Sequence, residues 1–84
     1  MREISKLSEL EQGEKALVLE ICSEESMGRR LQELGLIKGT EVTCVRKSPL
    51  GDPVAFLIRG ALIALRLEDA SCVKVQNCEV QDWD

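Results

Sequence analysis

Leu17, Leu19 and Ile21 alternate with Val18 and Glu20 across residues 15–22. This two-residue period predicts a strand that enters the core through its odd positions. Ahead of it, Ile4, Leu7 and Leu10 punctuate a first segment of turns that ends at Gln12-Gly13. Ser23 with Glu24 and Glu25 then reads as a helix start, because a serine oxygen accepts from free amides and acids complement the positive end of the helix dipole. Met27, Leu31 and Leu34 recur at helical spacing, and Gly35 suits the left-handed position beyond the last turn, with Leu36 packing back on Leu31.

Residues 40–47 are partly alternating and β-branched, as a strand requires. Pro49, Gly51 and Pro53 make residues 48–53 a loop. Two apolar runs, 54–58 and 61–67, are separated by Arg59-Gly60, short enough for a hairpin; both strands look buried on more than one face. Glu68, Asp69, Ala70 and Ser71 read as one helical turn. Residues 72–75 follow as a last strand with Val73 and Val75 inward. The pattern predicts a mainly β protein of about five strands, closed into a small barrel, with one helix inserted after the first strand. Its domain spans residues 1–76, and residues 77–84 form a loose acidic tail.

Composition narrows the function. Fifteen acids against eleven bases, a net charge of -4, disfavour nucleic acid. No apolar run reaches membrane-spanning length, and the charged residues 1–3 do not read as a signal peptide, so a cytoplasmic protein is expected. The chain contains no histidine, the commonest general base and an important metal ligand. Its serines fit caps and turns, and its glycines are isolated rather than grouped into a phosphate loop. The acid pairs Glu24-Glu25 and Glu68-Asp69 both open helical turns. An enzyme is therefore not expected, and no cofactor.

Cys22, Cys44, Cys72 and Cys78 lack the tight pairs of a structural zinc site. Cys72 and Cys78, with Glu79 or Asp82, remain the candidates for a weak divalent transition-metal site. What is left is surface. Arg29, Arg30 and Glu33 occupy the outer side of the helix, and Leu50 and Asp52 lie in the 48–53 loop, a kind of segment that often carries recognition. Arg30, Glu33, Leu50 and Asp52 are the candidate partner-binding residues.

Four segments in series resemble the FeoA family. They are Arg30-Leu31-Gln32-Glu33-Leu34-Gly35-Leu36 with Gly39, then Pro49-Leu50-Gly51-Asp52-Pro53, then Ile58-Arg59-Gly60, and finally Ile63-Ala64-Leu65-Arg66 with Ala70. The resemblance covers about residues 7–75 and implies an SH3-like barrel. It also implies a partner, the cytosolic GTPase region of FeoB, which moves ferrous iron into bacterial cells. The chain would then be an accessory protein of iron uptake, reaching the membrane only through that partner. The same fold occurs at the C-terminus of iron-dependent repressors. A free-standing metal-responsive module is the alternative that this likeness implies.

Overall fold

The computed structural model describes residues 4–21 and 25–78, with the side chains of Glu25 and Met27 outside that description. The described residues form six strands and two short helices: β1 (Ile4–Lys6), β2 (Lys15–Ile21), α1 (Glu25–Glu33), β3 (Glu41–Lys47), β4 (Val54–Ile58), β5 (Ala61–Leu65), α2 (Leu67–Ala70) and β6 (Val73–Asn77). A 3-10 turn, Leu7–Glu9, follows β1. The chain is mainly β, with the helix inserted between β2 and β3.

The strands make one antiparallel sheet in the order β1-β6-β2-β3-β4-β5. Its ends do not pair with each other, so the sheet is open, not the closed barrel that strand spacing predicts. The additional strand is β1, three residues that the turn-like spacing of Ile4 and Leu7 conceals. β2 and β3 pair only at residues 15–17 and 41–43; beyond that β2 runs with β6 and β3 with β4. Register shifts between Val18 and Glu20 and between Cys44 and Arg46 mark bulges that bend both strands as they diverge. The sheet thereby wraps a core without closing on itself.

The bulge also corrects the inward face of β2. Ala16 and Val18 are buried, while Leu17 and Leu19 are half-buried. The register shift spanning Leu19 then reverses the phase, so that Ile21 packs against the core. A strict alternation misses this because one extra residue exchanges the two faces. β5 departs from expectation as well. It ends the sheet, and although Leu65 is buried and Ile63 packs on the core, Ala61, Leu62 and Ala64 are exposed.

β4 too is buried on one face only, with Val54, Phe56 and Ile58 inward and Leu57 exposed. The end of α1 follows the local pattern. Leu36 N–H donates to Leu31 O at 3.0 Å and Gly35 N–H to Gln32 O at 2.9 Å, the paired bonds of a Schellman helix end. Gly35 takes φ +105°, and Leu31 and Leu36 are both fully buried, as the contact between them requires. Among the described residues Phe56 is the largest fully buried side chain, in one core cluster with Leu7, Leu10, Leu31, Ile58, Val73 and Val75. The proposed cap at Ser23 and Glu24 and the tail residues 79–84 lie outside the described residues, whereas Asn77 belongs to β6.

Candidate functional site

Two of the four candidate partner residues meet at α2. This helix has only four residues, so it satisfies few of its own amides. Leu67 N–H donates instead to Asp52 Oδ1, 3.0 Å away and fifteen residues back in the chain. The loop bearing Asp52 is shaped by Gly51 N–H donating to Ser48 O at 2.8 Å and Ser48 N–H donating to Pro53 O at 3.2 Å. That fold raises Leu50 at its tip, 94% exposed.

From the other side comes α1. Asp69 on α2 is almost wholly buried, and its Oδ2 lies 3.9 Å from Arg30 Nη1. The Arg30 side chain remains 65% exposed, so the pair contributes little to stability and leaves guanidinium donors for another acceptor. Glu33, three residues further along α1, is exposed. Arg30, Asp52 and α2 thus form one connected face carrying an exposed leucine and both signs of charge. The Asp52 carboxylate faces the Leu67 amide, and the buried Asp69 carboxylate faces the Arg30 guanidinium.

Among the described residues, the thiols of Cys44, Cys72 and Cys78 form no cluster. Cys44 on β3 is fully buried, and burial pushes its thiol above the usual value of 9.0; Lys47 opposes this, and Glu11 and Glu14 add to it. Cys72 precedes β6 and Cys78 follows it. Six residues of extended chain at about 3.4 Å each hold them roughly 20 Å apart. A single ion is not shared across that span. Cys22, Glu79 and Asp82 lie outside the described residues. Among the described residues, no three His, Cys, Asp or Glu side chains are grouped to hold a metal ion.

Sequence reasoning missed the outer face of β3, β4 and β5. Thr43, Leu57 and Leu62 are cross-strand neighbours there, and Leu57 and Leu62 are exposed. An open groove of about 360 Å³ beside them is lined by Thr40, Glu41, Thr43, Leu57, Arg59 and Gly60. Alternation outward from Phe56 places Leu57 on this face, but an all-apolar run conceals which positions are covered.

No helix among the described residues is long and apolar enough to cross a membrane. The FeoA domain model matches residues 5–77. A fusion of Fe(2+) transport protein A with Fe(2+) transporter FeoB, from Porphyromonas gingivalis, is 34% identical over 71 residues; these cover 84% of this chain but 8% of the fusion's length. The FeoA-like protein from Clostridium acetobutylicum superposes with a TM-score of 0.87 at 30% identity, covering 100% of this chain and 98% of that one. The zinc complex of Stenotrophomonas maltophilia FeoA, a prokaryotic SH3 domain protein, gives 0.74 at 36%, covering 83% and 87%. IdeR of T. acidophilum, at 20% identity, 89% and 34% coverage and a TM-score of 0.79, shares the fold alone. With its domain matched over residues 5–77 and its SH3-like sheet in common, the chain belongs to the FeoA family, proteins associated with Fe(2+) transport.

Proposed function

We propose that this chain binds the cytosolic GTPase region of FeoB and tunes ferrous iron uptake, acting by contact rather than by catalysis. The observation that carries this reading is the Porphyromonas gingivalis fusion, in which a region similar to this chain and FeoB share one polypeptide. Covalent linkage keeps two partners at high effective concentration, a benefit when the two parts function together. An inventory without histidine agrees with an adaptor.

The contact surface is the face around α2. Leu50 supplies an apolar anchor, and Arg30 and Glu33 supply polar contacts beside it. The test is calorimetric titration of the purified protein with the FeoB cytosolic region of the same organism, with and without guanine nucleotide. Saturable binding is expected, weakened about tenfold by Leu50→Ala, which removes an exposed side chain and leaves the core intact. An unchanged affinity in Leu50→Ala combined with Arg30→Glu would move the contact off this face. Absence of binding in every nucleotide state would remove the partner.

A further inference from the structure

The sheet has two edges, and only one carries the features that keep edges from pairing. β1 is three residues long and includes Lys6. β5, Ala61–Leu65, is five residues of alanine, leucine and isoleucine with no charge, no proline and no register shift against β4. Natural edges are blunted by such charges, prolines and bulges, because an open row of amides and carbonyls takes up another strand. β5 has none of them. The surface beside it is apolar too: Leu62 is 64% exposed and Leu57 42%.

The hairpin geometry determines which groups face outward. Arg59 and Gly60 have φ of 52° and 85°, the positive pair of a two-residue type I′ turn. In such a hairpin the flanking residues, Ile58 and Ala61, exchange both backbone bonds, and every second pair repeats the exchange. Ala61, Ile63 and Leu65 therefore direct their backbone groups to β4. Leu62 and Ala64 direct theirs to the free edge, and neither takes part in any turn, loop or cap bond among the described residues.

We propose that this edge receives β5 of a second copy, antiparallel, about a twofold axis at Ile63. In that register Leu62 of each copy opposes Ala64 of the other, so the outward groups of both strands are satisfied in four bonds. Ile63 meets Ile63 as the close, non-bonded pair, and Ala61 meets Leu65. Core-facing residues oppose core-facing residues and outward ones oppose outward ones, so the sheet continues across the axis without a change of face. No like charges meet within the strand. The Arg59 turn of one copy approaches the strand end where the other carries Asp52, Arg66 and Glu68, two acids to one base.

Five paired residues form an interface below about 1,200 Å², the lower end of the standard range, so the dimer is a weak one in rapid exchange. The proposal does not rest on FeoB binding, although Asp52 and Glu68 adjoin the face proposed for FeoB. It is tested by sedimentation equilibrium of the isolated protein up to about 1 mM, a range that detects association of only a few kcal/mol. The wild type is expected to move from monomer toward dimer. Ala64→Pro removes an outward N–H that the monomer does not use, and Leu62→Lys places charge on the edge; each is expected to weaken dimerisation at least about tenfold. Circular dichroism identifies a variant that fails to fold, in which case the other decides. Ile63→Cys adds a register test, since paired Cα atoms about 4.5 Å apart fall within disulfide reach. Under mild oxidation it is expected to yield a 63–63 linked peptide by mass spectrometry, whereas Leu62→Cys yields no 62–62 link. A wild type that stays monomeric throughout, or a dimer indifferent to Ala64→Pro and Leu62→Lys, would overturn the proposal.

Discussion

Gly35 shows how one residue serves two elements. A Cβ built there would lie 2.9 Å from Arg59 Cδ and 3.3 Å from Ile58 Cγ2, in a backbone at φ +105°. The absent side chain both ends α1 and admits the stem of Arg59. Gly13 has a similar φ, +92°, but nothing within 4 Å of such a Cβ. Gly35→Ala is expected to cost about 2 kcal/mol or more, from left-handed strain plus crowding, and Gly13→Ala only the strain. Urea unfolding of both variants reads the difference. Cys44 sets a pH dependence at the same scale. Its thiol pKa is raised above 9.0 by burial, so above that pH the unfolded chain releases a proton that the folded chain retains. Stability from this group is whole below pH 9.0 and declines as pH rises through the folded value. The chain has no tyrosine to titrate alongside it. Melting temperatures followed upward from about pH 8 are expected to fall less steeply in Cys44→Ala than in the wild type.

Among elements, α2 depends on a residue outside itself. Asp52→Ala removes the acceptor of the Leu67 amide and is expected to cost about 1 kcal/mol, with faster hydrogen exchange at Leu67. Asp52→Asn keeps an acceptor oxygen and should lose less. This bond also explains what was legible in the residues and what was not. The end of α1 was readable because Gly35 and Leu36 act on neighbours one turn away. The loop and the hairpin were readable because Pro49 and Pro53 restrict φ locally and Gly51 and Gly60 supply the positive φ their turns need. The inward face of β2 was not, since its bulge is defined by pairing with β6, more than fifty residues away. β5 was misjudged for a related reason. Apolar residues indicate tolerance of burial, while exposure depends on whether another strand lies alongside. Arg30 and Asp52 were identifiable as surface groups, but their meeting at α2 is a property of the fold.

At the scale of the molecule, the bulged and diverging β2 and β3 leave an open sheet whose two halves enclose one core. Two surfaces then stand apart in chemistry. The face around α2 mixes charge with Leu50 and is the surface proposed for FeoB; the β5 edge is apolar and is the one proposed for a second copy. The most direct measurement of the central claim is a map of backbone amide shifts during titration with the FeoB cytosolic region. Perturbations concentrated at Arg30, Glu33, Leu50, Asp52, Leu67 and Asp69 are the predicted result. A spectrum that does not change, or changes confined to β5, would contradict it.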